Sequence, residues 1–391
     1  MGIEIRTDDS EVRILKIEVF WDGLTGMKKV LMIGSMDVYG GVGHMIFEFC
    51  RNINRDAVQF DFLYYEDLSV EEQNAVDSCH GTFYKVPRYT KQPLEFYRKI
   101  KEFFRTHKYD IVHIHASTGM LLMYALPVWK SAETKIFYQS HSDCVVGTAN
   151  KIFHSFFRHL VVKAADCIIA VSEPAAGFMY GNKRVTETVI LKNGMDIKKY
   201  KFQEKVRDEI RRKLEVGDAY MLGHVGRFTY SKNHSFIIKV FEQMYKRDRD
   251  VKLLLVGTGE DEEKIRQMVQ EKKLTEKVIF YGVSQCVETL LCAMDCFIFP
   301  SHYEGLGIAA LEAQASGLPV VASEQVPKEA GATELYKALS LSEDAAETWA
   351  ETILAFKKKK TGRQLRYQEL AEKGYDIKET AEKLKRMYLE A

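Results

Sequence analysis

Residues 299–319 read Phe299-Pro300-Ser301-His302-Tyr303-Glu304-Gly305-Leu306-Gly307-Ile308-Ala309-Ala310-Leu311-Glu312-Ala313-Gln314-Ala315-Ser316-Gly317-Leu318-Pro319. The apolar run Cys296–Phe299 ahead of the turn has the length and composition of a buried strand, and Val320–Ala322 behind it has the same. Between them lie a polar turn and an Ala/Leu-rich helix, Gly307–Ala315. Strand, turn, helix and strand in this order make a βαβ unit, which implies parallel pairing. Glu304 and Glu312 stand eight residues apart, one in the turn and one in the helix. Gly305 and Gly307 leave the surrounding amides open to a ligand. A lone helical carboxylate is usually solvated, but Glu312 sits among Ala and Leu and is expected to face a polar ligand or cleft.

The same alternation extends outward in both directions. Upstream, strands are expected at Val30–Ile33, Phe60–Tyr65, Phe83–Val86, Ile111–His115, Lys135–Gln139 and Cys167–Val171, with helices such as Leu94–His107 and Ile152–Ala164 between them. The pattern restarts after the turn signal Asn193-Gly194-Met195-Asp196 and a charged helix at Lys205–Leu214. A second set follows: Met221–Val225, Leu253–Val256, Val278–Tyr281, Cys296–Phe299 and Val320–Ala322, with helices at Phe236–Lys246, Asp261–Lys272 and Gly307–Ala315. The expected fold is α/β, two doubly wound parallel-sheet domains. Residues 27–197 form the first, 198–375 the second, and 376–391 a C-terminal amphipathic helix that can pack back on the first. Residues 1–26 read as an extension, or as one holding an extra strand at Val12–Phe20.

Composition narrows the function classes. A chain of 391 residues suits two domains. Its net charge of +1 sets up no global field toward nucleic acid. No apolar run approaches the ~18 residues of a spanning helix; Met120–Trp129 is interrupted by Pro127. No signal peptide is evident, and the seven cysteines contain no CxxC pair. They read as small core residues of a cytoplasmic protein.

In doubly wound sheets, ligands bind beyond the carboxyl ends of the strands. The loop Ser35–Gly43 follows the first strand and opens a helix, so Gly40 and Gly41 can let backbone amides approach a phosphate. It is no dinucleotide fingerprint, because Gly40-Gly41-Val42-Gly43 lacks the GxGxxG spacing. The loop Gly226–Asn233 follows the first strand of the second set. Its Arg227 and Lys232 can converge on a diphosphate, Arg227 as a fork and Lys232 as a point charge.

These segments together resemble the retaining glycosyltransferases of family 4, of GT-B architecture, and within them the enzymes of bacterial capsule and exopolysaccharide synthesis. The resemblance rests on Gly40-Gly41, His141, Asn193-Gly194 with Asp196, Gly226-Arg227 with Lys232-Asn233, Val256-Gly257 with Gly259, and Glu304-Gly305 with Gly307 through Glu312. It implies a transferase, a hexosyltransferase taking sugar from a nucleotide-sugar, with UDP as carrier, to a saccharide or lipid-linked acceptor. It implies that Gly40 and Gly41 approach the donor diphosphate while Arg227 and Lys232 hold it. Glu304 would take the sugar hydroxyls, Glu312 the ribose, and the backbone near Val283 the base. Gly257, Gly305, Leu306 and Gly307 would complete the donor site, and His141 would touch the sugar at the transfer point. Where the family often has Asp after this histidine, the chain has Ser142 and then Asp143. The implied mechanism is same-face displacement, in which the leaving phosphate helps deprotonate the acceptor; Glu304 is not assigned as a nucleophile. No cofactor or metal is implied.

Other signals are read as structural. Asp248-Arg249-Asp250 has the form of a metal-binding triad but precedes a strand, the wrong edge for the cleft. His113 reads as a core histidine and His115 as one near the cleft. Lys85–Lys108 carries eight basic residues against two acidic ones, interleaved with aromatics. That pattern suits either a solvated helix face or a peripheral contact at the inner face of an anionic membrane. A nucleotide-sugar epimerase of the same architecture and a non-catalytic sugar-nucleotide binding module are the alternatives to the transferase.

Overall fold

The computed structural model describes residues 26–391, apart from 39, 143–147, 343, 359–362, 364 and 365. The extension, with its alternative strand at 12–20, and Asp143 lie outside the described residues.

The first sheet holds β1 (Lys28–Ile33), β2 (Val58–Tyr64), β3 (Phe83–Lys85), β4 (Ile111–Ala116), β5 (Lys135–Ser140), β6 (Cys167–Ala170) and β7 (Val189–Ile190), in the order β3-β2-β1-β4-β5-β6-β7. The second holds β8 (Tyr220–Val225), β9 (Val251–Val256), β10 (Val278–Gly282), β11 (Cys296–Phe299), β12 (Val320–Ser323) and β13 (Tyr336–Leu339), in the order β10-β9-β8-β11-β12-β13. Every pairing in both sheets is parallel. Parallel strands need a crossover between them, and helices consequently cover both faces of each sheet. The central strands are accordingly apolar throughout: Val30–Ile33, Leu253–Val256 and Cys296–Phe299 are all buried.

Strand order reverses between β1 and β4 in one sheet and between β8 and β11 in the other. Neighbouring crossovers diverge at such a point and leave a crevice at the carboxyl ends. The loops that follow β1, β8 and β11 are those carrying Gly40-Gly41, Arg227 with Lys232, and Glu304. The edge strands β7 and β13 were not expected from the sequence. β7 spans two residues, and β13 places the exposed Lys337 and Ala338 between half-buried Tyr336 and Leu339, so neither offers a buried apolar run.

The chain crosses between the domains twice, at one place. Met195 donates its N–H to the Tyr375 carbonyl at 2.8 Å and accepts from the Ile377 N–H at 3.0 Å. A Cβ at Gly194 would run into the Thr380 hydroxyl and the Ile377 backbone, so glycine lets the passages touch. The helix Ile377–Glu390 then lies on the first sheet, where Ile377, Ala381, Leu384 and Tyr388 join a core cluster with Val30, Met32, Ile46 and Phe60.

The charged helix Glu204–Lys213 is partly internal. Arg207 donates to the carbonyls of Cys292, Ala293 and Met294, and Arg211 to that of Ala293. Arg363 adds bonds to Leu291, Cys292 and Met294. These are the orphan carbonyls at the end of the helix Val287–Ala293, and three guanidinium groups satisfy them while Asp295 pairs with Arg207 and Arg211.

Leu384 is fully buried between the C-terminal helix and the first sheet. Leu384→Ala is expected to cost about 2–5 kcal/mol of stability, measured as a lower urea midpoint with an unchanged slope. An unchanged midpoint would mean that this helix is not part of the folded core.

Candidate functional site

Two strand-end loops of the second domain meet in one place. β8 ends at Val225 and the chain turns through Arg227 into the short 3-10 turn Tyr230–Lys232, closed by Asn233 in the left-handed region at φ 55°. β11 ends at Phe299 and runs through Glu304 to Gly307, whose φ of 87° starts the helix Ile308–Ala315. The two loops brace each other: the His302 N–H donates to the Ser231 carbonyl at 2.8 Å, and the Tyr230 and His302 rings stack 4.5 Å apart. Lys232 and Glu304 are thereby paired, Nζ to Oε1 at 2.5 Å, with side chains 21% and 12% exposed. The ammonium also stands 5.1 Å from the centre of the Phe299 ring. A charge pair this sheltered is screened far less than a surface pair.

The first domain closes the other side. A Cβ on Gly305 would collide with the His141 carbonyl, so the two backbones approach as only glycine permits. Ile308 packs against core clusters of both domains. Arg227 forms an ion pair with Asp37, on the loop after β1, which spans the cleft. Gly40 is the N-cap of the helix Gly41–Asn52, and the space a Cβ would fill at Gly41 is open. The tight member of the glycine loop is Gly43, wedged against the Asp37 backbone.

His141 is buried, and its Nε2 lies 2.9 Å from Nδ1 of His115. The His115 ring is 4.1 Å from that of His113, whose Nδ1 is 2.5 Å from the Tyr388 hydroxyl. Burial pushes His141 and His113 down to about 3, and His115 well below its ordinary value. All three imidazoles are therefore neutral near pH 7. One proton serves the bond between His115 and His141, so the tautomers of the two rings are coupled.

Glu312 is half-buried on its helix and accepts from the Tyr200 hydroxyl at 2.6 Å. Burial raises its carboxyl to about 7, although Tyr200 and Lys199 pull it down. The remaining expected residues are spread more widely. Gly257 follows β9 and abuts the Gly226 carbonyl, joining two loops. The Leu306 side chain is buried in the second core, so only its backbone can serve a ligand. Val283 is exposed beyond the edge strand β10. Asp248 lies at the amino end of β9, bonded to Lys357 at 2.6 Å and away from the cleft loops. The sequence reading missed Asp37 and Tyr200 as site members.

The contact between Gly305 and His141 gives a direct check. Gly305→Ala should force the domains apart at that point, raising the radius of gyration in small-angle scattering with little change in melting temperature; an unchanged radius would place the contact elsewhere.

Two family models match the chain in succession. Residues 39–199 match "Glycosyltransferase Family 4" and residues 206–376 match "Glycosyl transferases group 1". The putative glycosyltransferase EpsF of Bacillus subtilis is 28% identical over 375 residues, covering 93% of this chain and 97% of that protein. The capsular polysaccharide biosynthesis glycosyltransferase CapM of Staphylococcus aureus is 28% identical over 192 residues, 44% of this chain and 48% of that one. Among solved structures, Anabaena HepE in complex with UDP and glucose superposes with a TM-score of 0.78 at 19% identity, covering 93% of this chain and all of that one. The sucrose-phosphate synthase of Thermosynechococcus elongatus superposes at 0.74 with 17% identity, over 92% of this chain and 98% of that one. Among the described residues no helix is long and apolar enough to cross a membrane. With both family models in sequence and two facing Rossmann-like domains, the chain belongs to the family 4 glycosyltransferases of GT-B architecture.

Proposed function

We propose that this glycosyltransferase moves a hexose-type sugar, with retention of configuration, from a UDP-sugar to a saccharide or lipid-linked acceptor during synthesis of a bacterial surface polysaccharide. The observation that carries the reading is the sheltered pair of Lys232 and Glu304 at a strand switch point, next to Gly305, where the loop abuts the His141 carbonyl. The name of the CapM relative supports the class of product, that of EpsF the transferase class, and the UDP-bound HepE neighbour the class of donor.

In this reading the pair supplies both charges that the donor needs. Glu304 accepts hydrogen bonds from sugar hydroxyls. Lys232 and Arg227 meet the growing negative charge on the departing diphosphate. Arg227 must leave Asp37 to do so. Its side chain is exposed, and an exposed ion pair is worth only ~0–1 kcal/mol, so the donor's diphosphate, with two negative charges, displaces it. Neutral His141 lines the transfer point as a hydrogen-bonding group and leaves the positive charge to the cations. Glu312 takes the ribose. The same-face route follows: the leaving phosphate oxygen takes the acceptor proton, and no protein carboxylate attacks the sugar. Because two cations, Lys232 already in place and Arg227 redirected from Asp37, stabilise the leaving group, turnover is proposed to need no metal.

The test is hydrolysis and transfer with a panel of nucleotide sugars, with and without EDTA. One donor is expected to turn over unaffected by EDTA. Glu304→Ala is expected to lower kcat/KM by roughly 10- to 100-fold, and Arg227→Ala to lower kcat on the order of 10²–10³-fold. Failure of every donor to bind would leave the chain without the donor chemistry proposed. Binding with interconversion of the sugar and no transfer would favour the epimerase.

For a lipid-linked acceptor we propose that the first domain lies on an anionic membrane. The helix Pro93–Thr106 presents Leu94, 87% exposed, beside Tyr97 and the basic Arg98, Lys99, Lys101 and Arg105. The helix Thr148–Ala164 presents Phe153 and Phe156, and both helices pack on the 3-10 segment Gly119–Val128. Exposed aromatics with flanking lysines suit a headgroup layer. Flotation with vesicles containing phosphatidylglycerol at low salt should carry the protein upward, and Leu94→Glu with Phe156→Glu should abolish this. No flotation of the wild type would leave the face as solvated surface.

A further inference from the structure

Tyr200 lies outside every loop discussed for the donor, yet it touches one of the donor-site carboxylates. It ends the 3-10 turn Ile197–Tyr200, the segment that links the two domains just after the crossing at Met195. Its ring is buried in the second core with Ile197, Met195 and Leu311. The hydroxyl emerges from that core and donates to Glu312 Oε1 at 2.6 Å. The next residue back, Lys199, pairs with Glu288 of the helix Val287–Ala293 at 3.4 Å, which fixes the turn against the second domain. Glu48 and His44, on the first-domain helix Gly41–Asn52, are close enough to act electrostatically on Tyr200 and Lys199. The turn therefore stands where both domains meet the carboxylate.

Resting on the proposed donor reading, we infer that Tyr200 is a positioning residue for ribose: its hydroxyl holds the Glu312 carboxylate in place to accept the hydroxyl groups of the donor's ribose. The chemistry of the pair fits. An ionised carboxylate offers about four acceptor positions; Tyr200 occupies one, and the others suffice for two ribose hydroxyls. Tyr200 can only donate to it, because burial and the neighbouring carboxylates, Glu312 first among them, hold the phenol well above its ordinary value. The bond also favours the ionised form of Glu312. Burial works against that form, Glu288 adds to the effect, and Tyr200 and Lys199 offset it. A ring without a hydroxyl at 200 would keep the packing but free the carboxylate to turn. The protonated form of Glu312 would then persist to higher pH.

The experiment is calorimetric binding of UDP, GDP and ADP, each beside its 2′-deoxy form, to the wild type, Tyr200→Phe, Glu312→Gln and the double variant, from pH 6 to pH 9. For the diphosphate that binds the wild type, Tyr200→Phe is expected to weaken affinity about tenfold, as for loss of a hydrogen bond to a charged group. Its preference for ribose over 2′-deoxyribose should fall. A group that must be ionised to accept loses binding as pH drops through its pKa, so the acid-side loss should begin at higher pH in Tyr200→Phe. The double variant should bind as Glu312→Gln does, because both changes act through one carboxylate. If the wild type binds no nucleoside diphosphate, the donor reading fails and this inference with it. If the wild type binds and Glu312→Gln weakens it, while Tyr200→Phe keeps the affinity, ribose preference and pH dependence of the wild type, the positioning role is overturned and the donor reading stands. Additive losses in the double variant would likewise overturn it, as a packing effect independent of Glu312.

Discussion

Everything in the cleft depends on the crossing at Met195. There the two passages of chain between the domains are tied by a pair of backbone hydrogen bonds, from Met195 to Tyr375 and from Ile377 to Met195. Two separate doubly wound sheets each have a crevice at their switch point, but neither crevice alone holds both a cation pair and an acceptor side. The crossing, with the C-terminal helix anchored on the first sheet, aims the carboxyl ends of β8 and β11 at those of β1 and β5. Gly194 and Gly305 are the two places where this arrangement needs the absence of a side chain, one at the crossing and one at the cleft.

Charge within the cleft is arranged by burial. Lys232 and Glu304 are partly sheltered and paired, whereas Arg227 is exposed and pairs with Asp37 across the gap. An incoming diphosphate would thus find one cation already fixed and one easily redirected. The histidines follow the opposite logic. Buried in a row from Tyr388 to His141, they are held neutral, so the transfer point carries polarity without an additional positive charge.

Much of this was legible in the sequence, because strands buried on both faces leave near-continuous apolar runs and the loops that follow them carry the chemistry. Glu304 and Lys232 could be singled out because each lies next to a strand end in a parallel fold. What escaped shows where local pattern stops. β7 and β13 sit at sheet edges, where one side lacks a partner and polar residues such as Lys337 are tolerated. Asp37 was passed over because a loop acid has no periodicity to mark it, and its partner Arg227 lies 190 residues away. Tyr200 was missed for the same reason, at a separation of 112 from Glu312. Gly40 and Gly41 drew attention as a pair, while the residue wedged against the loop is Gly43. Leu306 belongs to the core, and its side chain is not available to a ligand.

The most direct measurement is a crystal structure of the protein with a nucleotide sugar bound. The diphosphate is expected between Arg227 and Lys232, with Arg227 released from Asp37, the ribose on Glu312, and the sugar between Glu304 and His141. A donor bound elsewhere, or bound with Arg227 still on Asp37 and the diphosphate clear of Lys232, would contradict the proposed site.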